Sequence, residues 1–220
     1  MVQSDAQASP PCLKPTQAAI AQAARVIRDG GLIGLPTDTV YGLAADATSD
    51  AAVAGVFRAK GRPADKPLIA LIATMTMAEA CGEFSAPALA LAEAFWPGPL
   101  TLVLPRAAGS PLSPLVHQGA PGVSLRIPGN KTARAVVEAS ERPLTAPSAN
   151  PSGAPSPLTA AEVAAGLGSH VALIVDGGRA ADSLGSTLLD LTGETARLLR
   201  AGVVTCEAIE GVIGPIVRAN

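Results

Sequence analysis

Residues 34–71 read GLPTDTVYGLAADATSDAAVAGVFRAKGRPADKPLIAL. The stretch opens as the end of an apolar strand, Gly31 to Leu35, and breaks at Pro36-Thr37-Asp38-Thr39-Val40-Tyr41-Gly42, a loop dense in hydroxyls. Ser49 or Asp50 then starts a helix with Val53, Val56 and Phe57 turned inward, ending near Lys60. Arg58, Lys60, Arg62 and Lys66 place four cations within nine residues, just before a second buried strand, Leu68 to Ala73. Strand, loop, helix, loop and strand make an α/β unit. Hydroxyls leave one strand and cations enter the next, which suits a small ligand carrying phosphate or carboxylate. The competing reading of a cation run is a solvated face. Against it, only 15% of the residues are charged, and Gly61, Pro63 and Pro67 restrict the backbone around these four.

Working outward, the 220 residues fit one large domain whose core buries roughly 70% of the unfolded surface. Apolar residues make up 48% of the chain and the mean hydropathy is +0.35, much of it from alanine. The apolar runs are far shorter than the ~20 residues of a membrane-spanning helix. The start, MVQSDAQASPPCLKP, has neither a basic beginning nor an apolar centre. Residues 1–14 are therefore expected to form a flexible tail, residues 15–220 one domain, and the protein to be cytoplasmic. Cys12, Cys81 and Cys206 lie far apart and form no C-x-x-C pair, which excludes a disulfide framework and a cysteine zinc site. A net charge of −2 and five aromatics argue against a nucleic-acid coat or a base-stacking platform.

In chain order, Thr16 caps a helix from Gln17 to Asp29, and a strand covers Leu32 to Leu35. After the second strand come helices over Met75 to Cys81 and Ala88 to Phe95, then a strand from Leu100 to Leu104. Pro105 to Gly122 reads as loop, Val123 to Ile127 as strand, and Lys131 to Ala139 as a helix capped by Asn130. Leu144 to Ala146 leads into Pro147-Ser148-Ala149-Asn150-Pro151, and Thr159-x-x-Glu162 is a capping box. Strands follow at Val171 to Val175, Leu188 to Leu191 and Ala196 to Leu199, and Thr205 caps a last helix. Alternating elements with close strands near the end predict an α/β fold, a single-domain twisted mixed β-sheet with flanking helices.

The usual catalytic constellations are missing. No G-x-S-x-G or G-x-G-x-x-G occurs, and His117 and His170 sit in no tight motif. Gly129-Asn130-Lys131-Thr132 imitates a phosphate loop, but Ser124 stands where its first glycine is needed. What remains is a set of polar loops at strand ends, where open α/β sheets gather ligands. Lys60 and Arg62 supply charge against phosphates. Ser148 and Asn150 alternate as in an extended segment, which would aim both into one pocket. The competing reading is a proline-bounded turn whose side chains bond their own backbone. Such a set suits phosphoryl or nucleotidyl transfer by positioning and charge neutralisation.

Seven motifs, PTDTVYGL (36–43), KGRPADKPL (60–68), SLRIP (124–128), APSAN (146–150) followed by PSG, DGG (176–178), GSTLLD (185–190) and LLRAG (198–202), together resemble the Sua5/YrdC/TsaC family of L-threonylcarbamoyladenylate synthases. The resemblance implies a twisted mixed sheet enclosing a positively charged cavity. It implies a nucleotidyltransferase reaction in which L-threonine, bicarbonate and ATP give threonylcarbamoyl-AMP and pyrophosphate. The product would be handed to a complex that transfers the threonylcarbamoyl group to tRNA, with tRNA contact possible in principle and no membrane involved. By motif, Lys60, Arg62, Ser148 and Asn150 become the catalytic set at the ATP phosphates, with Ser156 and Arg200 as further ATP contacts. Thr39, Arg126 and Ser186 become threonine contacts, Arg126 facing the carboxylate. Mg2+ would arrive on the phosphates, and no general base is assigned.

The chain departs from many longer members, which carry a histidine shortly after an N-P-L stretch. Leu71 and Lys66 stand at the corresponding places here, so the threonine pocket is expected to be trimmed differently. With Asn220 soon after the last motif, the short, single-domain TsaC-like type is expected. Two other classes compete: a double-stranded RNA or ribosomal RNA binding module, and a carbamoyl-handling relative of the hydrogenase-maturation proteins.

Overall fold

The computed structural model describes residues 9–63, 66–181 and 184–218. Residues 1–8 of the expected tail, Ala64 and Asp65 of the cation loop, and Ala219 and Asn220 at the expected domain end lie outside the described residues. In chain order the strands are β1 (Cys12–Leu13), β2 (Ile33–Leu35), β3 (Gly42–Ala44), β4 (Ile69–Leu71), β5 (Leu100–Pro105) and β6 (Gly122–Arg126). They continue with β7 (Leu144–Thr145), β8 (Leu173–Val175), β9 (Thr187–Asp190), β10 (Arg197–Arg200) and β11 (Val217–Arg218). The helices are α1 (Gln17–Arg28), α2 (Asp50–Lys60), α3 (Met75–Cys81), α4 (Ala86–Phe95), α5 (Pro114–His117), α6 (Lys131–Ser140), α7 (Ala160–Leu167) and α8 (Cys206–Ile213).

Helix starts follow their caps. Thr16, Ser49, Asn130, Thr159 and Thr205 each accept a hydrogen bond from the backbone N–H three residues on. Each satisfies one donor that the first helical turn leaves without an internal partner. At Thr159 the box is complete, because the Glu162 carboxylate accepts from the Thr159 N–H in return.

The strands form two sheets, where a single one was expected. The smaller runs β1–β8–β2–β3 and the larger β11–β10–β9–β5–β6–β4–β7. Both are mixed: β2 lies parallel to β8 and antiparallel to β3, and β5 antiparallel to β6 and parallel to β9. Isolated bridges Gly42↔Ser148 and Asp46↔Leu144 join the hairpin end to the 144–148 segment. The expected tail is corrected in part. Cys12 and Leu13 pair with Ile174 and Val175 as an edge strand, and Lys14 Nζ lies 2.7 Å from Asp176 Oδ2. The loop expected over 105–122 carries the short α5.

The hydroxyl run 36–41 is the connection of a hairpin, because Gly42–Ala44 folds back on Ile33–Leu35. Three residues buried on both faces show no polar alternation, so β3 has no signature of its own in the sequence. Tyr41 fixes this connection from inside: it is fully buried and its hydroxyl donates to the Gly178 carbonyl at 2.6 Å. A Cβ on Gly177 would sit 2.8 Å from Pro36 Cγ, so the DGG turn packs against the hairpin at a distance only glycine allows.

Two apolar bodies flank the strands. Ala23 and Ile27 of α1 with Ala133, Val136 and Val137 of α6 cover Ile33, Leu35, Leu71, Leu144, Leu173 and Val175. The larger body collects Val53, Val56 and Phe57 of α2, Leu91 of α4 and Leu100, Leu102, Leu104 and Leu125 of the larger sheet. The opposite face of that sheet is left for the site. Among the described residues, no helix is long and apolar enough to cross a membrane.

Candidate functional site

A cavity of about 500 Å³ lies on the larger sheet. Strand period sets its floor: Gly122, Ser124 and Arg126 alternate along β6, and Leu188 and Asp190 along β9, so each set faces one way. Arg200 of β10, Thr39 and Val40 of the hairpin, Arg62, the 146–148 segment, Ser156 and Ser186 form the walls. The charged side chains at the lining are Arg62, Arg126, Arg200 and Asp190, an excess of positive charge.

Arg126 is 4% exposed. Its Nε donates to the Gly98 carbonyl at 3.0 Å, Nη1 to Thr39 Oγ1 at 3.4 Å, and Nη2 to Asp38 Oδ1 in a close ion pair. Burial pulls the guanidinium pKa below its usual value, and the Asp38 carboxylate opposes that shift. Each terminal nitrogen of the fork keeps a second N–H. Thr39 is anchored in turn by Thr37 Oγ1 at 3.1 Å, and Thr37 donates to the Val40 carbonyl at 2.6 Å. Asp38 Oδ2 is buried without a partner, and Gly129 leaves room for it, since a Cβ there would come to 3.1 Å.

Ser186, which is buried, and Arg200, which is exposed at its outer side, form a second group. Ser186 Oγ lies 2.8 Å from Thr101 Oγ1. Arg200 Nη2 donates to Ser186 Oγ at 3.0 Å and to the Ser186 carbonyl at 2.8 Å. Burial also holds the Arg200 pKa below its usual value. Gly202 lets this corner close: a Cβ there would approach Thr187 N, Ser186 C and Gly185 O closer than 3.0 Å, all backbone atoms. Gly202→Ala is therefore expected to lower stability by about 1–3 kcal/mol through overpacking. A chemical denaturation midpoint equal to wild type would refute it.

Of the four residues expected at the phosphates, two lie off the cavity lining. Lys60 does not line the cavity. It is 3% exposed, and its Nζ donates to the Asn150 carbonyl at 2.6 Å and to the Ser148 carbonyl. The Ser152 N–H returns a bond to the Lys60 carbonyl at 2.7 Å. Lys60 points into the protein because it continues the buried face of Val53, Val56 and Phe57, and Gly61, with φ 57°, ends α2 in the left-handed region so that Arg62 emerges beyond the turn. Burial and the nearby Arg62 charge lower the Lys60 pKa to about 8.

Ser148 does line the cavity, but Asn150 does not follow it. Asn150 Nδ2 donates to the Pro151 carbonyl at 2.9 Å and the Ala154 carbonyl at 2.6 Å, binding the turn that follows it. Asn150 opens instead on a neighbouring groove with Pro151, Pro155, Leu158 and Glu162. The proline-bounded turn is the reading that holds for Asn150. Ser156 borders both spaces. Arg62 is anchored by Nη2 to the Pro67 carbonyl at 3.1 Å.

The structure thus brings Thr39, Arg62, Arg126, Ser148, Ser156, Ser186 and Arg200 to one cavity and puts Lys60 and Asn150 behind its wall. Sequence reading missed Asp38, Ser124 and Asp190. Asp38 stands between the two hydroxyls of the quoted loop, where no period applies; Ser124 lies on β6 and Asp190 ends β9, and for these two strand period was the available signal. Neither His117 nor His170 lines the cavity. Among the described residues no group of three or more His, Cys, Asp or Glu could hold a metal ion.

The sequence family described as Sua5/YciO/YrdC, telomere recombination, matches residues 25–202. A curated threonylcarbamoyl-AMP synthase of Pyrococcus abyssi is 46% identical over 88% of this chain, and one of Bacillus subtilis 45% over 90%. The chain spans 57% of the length of each. The crystal structure of P. abyssi Sua5 complexed with L-threonine superimposes with a TM-score of 0.89 at 44% identity, covering 93% of this chain and 60% of that one.

Proposed function

The chain belongs to the Sua5/YciO/YrdC family, and from that premise we propose that it is an L-threonylcarbamoyladenylate synthase. L-threonine, bicarbonate and ATP would give threonylcarbamoyl-AMP and pyrophosphate. The observation that carries this reading is one cavity with two separate stations for anions. Arg126 with Thr39 and Ser186 is buried at one, and Arg62 with Ser148 stands at the other.

In this reading the second N–H groups of Arg126 take the threonine carboxylate as a fork, with Thr39 and Asp38 holding the guanidinium in plane. Bicarbonate gives carbon dioxide by loss of hydroxide, the threonine amine forms its N–C bond to that carbon and loses a proton, and the proton and hydroxide leave as one water, which yields the carbamate. A carbamate oxygen forms a bond to the α-phosphorus, the bond from that phosphorus to the bridging oxygen breaks, and pyrophosphate leaves with the electron pair. Arg62 and the Ser148 and Ser156 hydroxyls neutralise the charge on the phosphates, and Arg200 remains a further ATP contact. Lys60 acts on this set from behind, through the 148–150 backbone. Mg2+ would come with the ATP phosphates and supply charge neutralisation there. Threonylcarbamoyl-AMP is a mixed anhydride, so its consumer is an acyl-transfer enzyme, here one acting on an adenosine of tRNA.

The test is pyrophosphate release from ATP, with L-threonine and bicarbonate each supplied or withheld. Release that requires both is the expected result. Release without threonine would replace the reading with another nucleotidyl acceptor. No release by folded protein, together with salt-dependent RNA binding, would favour the RNA-binding alternative.

A further inference from the structure

The cavity has a third corner that neither anion station occupies. Strand register lays Asp190, Val103, Ser124 and Ile69 in one row across β9, β5, β6 and β4. At about 4.8 Å per strand, the backbones of Asp190 and Ile69 stand roughly 14 Å apart. Arg62 bonds the Pro67 carbonyl, next to the Ile69 end of that row. Arg126 lies two residues beyond Ser124 on β6, which puts its backbone about 12 Å from that of Asp190. Ser186 is four residues back along β9, about 13 Å away.

Asp190 is the acidic side chain of this lining. Its Oδ1 accepts from the Thr192 N–H at 2.9 Å and from Thr192 Oγ1 at 2.7 Å, which fixes the carboxylate in one orientation. Oδ2 has no partner among the described residues. Leu188, Leu199 and Val103 border the same part of the cavity and are apolar. Gly122 keeps the corner open, because a Cβ there would lie 2.6 Å from Thr192 Cγ2 and 2.9 Å from the Leu104 carbonyl oxygen.

A fixed carboxylate beside an apolar wall has the chemistry that recognises a nucleoside: the carboxylate accepts from ribose hydroxyls and the wall takes the base. It repels phosphate, so the triphosphate must lie away from it. The span of the row suits an extended nucleotide whose phosphates rest at Arg62. We propose that Asp190 is the ribose-recognising residue of the nucleotide site. Its Oδ2 accepts from the 2′- and 3′-hydroxyls while the base rests against Leu188, Leu199 and Val103. The assignment rests on the synthase reading and deepens it, giving selection for a ribonucleoside triphosphate over its deoxy analogues.

The experiment is calorimetric titration of the full chain with ATP, 2′,3′-dideoxy-ATP, inorganic tripolyphosphate and L-threonine. It is run on wild type, Asp190→Ala and Asp190→Asn, the last of which keeps an acceptor for Thr192. Wild type is expected to bind ATP at least about tenfold more tightly than dideoxy-ATP, as loss of a charge-assisted hydrogen bond implies. Asp190→Ala is expected to erase that ratio by weakening ATP alone, with tripolyphosphate and threonine unchanged as controls of folding. Asp190→Asn is expected to fall between. Equal wild-type affinity for ATP and dideoxy-ATP would overturn the proposal, as would an unchanged ratio in folded Asp190→Ala; either result leaves the synthase reading standing. Absence of ATP binding to wild type would overturn both.

Discussion

Arg126→Ala is expected to abolish threonine-dependent pyrophosphate release and to lower the unfolding free energy by about 3–5 kcal/mol, the cost of breaking a buried ion pair from one side. The loss is large because the partner stays behind. Asp38 would be left with Oδ2 already buried and unpartnered, and Oδ1 would lose the guanidinium. Thr39 Oγ1 and the Gly98 carbonyl would lose a donor in the same stroke. Arg126→Lys keeps a charge but replaces a planar fork with a point donor, so it is expected to fold better than Arg126→Ala and still bind threonine poorly. Asp38→Ala added to Arg126→Ala should restore part of the stability and none of the threonine binding, which separates folding from recognition. Denaturation measures the first and calorimetry the second. Wild-type threonine affinity in Arg126→Ala would remove Arg126 from the substrate site.

Lys60→Met is expected to reduce turnover by at least about a hundredfold, on the scale of losing two charge-assisted hydrogen bonds. The ammonium ties the Ser148 and Asn150 carbonyls to the end of α2, and without it both lose their donor beside the cavity wall. Lys60→Arg should not rescue, since the larger fork has no space at a 3% exposed site. The pH dependence has a definite sign. The folded pKa is lowered to about 8, below the ordinary lysine value of 10.5, so above pH 8 the folded state holds fewer protons at Lys60 than the unfolded state. Stability from this residue therefore rises with pH between about 8 and 10.5. Nucleotide affinity is expected to move the other way, falling above pH 8 as the clasp loses its proton. Both trends should vanish in Lys60→Met. A wild-type affinity profile flat from pH 7 to about 9.5 would show that the charge on Lys60 does not hold the loop.

Much of the site was legible because the motifs report on backbone geometry as well as chemistry. Arg126, Ser186 and Arg200 lie on or beside strands whose period could be read, and the structure turns them to one cavity. Lys60 and Asn150 were expected to face the cavity and lie off its lining. Residue type identifies a cation or an amide as suited to phosphate, but the direction of the side chain depends on the helix or turn that carries it. Helix phase puts Lys60 on the buried face of α2 with Val53, Val56 and Phe57, and the 151–154 turn captures the Asn150 amide.

The sequence by itself determined the elements whose causes are local. Helix starts at Thr16, Ser49, Asn130 and Thr159 came from side chains that bond their own first turn. The alternation of helices and strands established the α/β class. Only the tertiary structure decided which strands meet. A three-residue strand such as β3, buried on both faces, carries no period to read, and so one expected sheet became two. The same holds for the site's closest contacts. Arg126 meets Asp38 across 88 residues and Ser186 meets Thr101 across 85. Those pairings depend on strand register, which burial and packing set over the whole molecule and no local window contains.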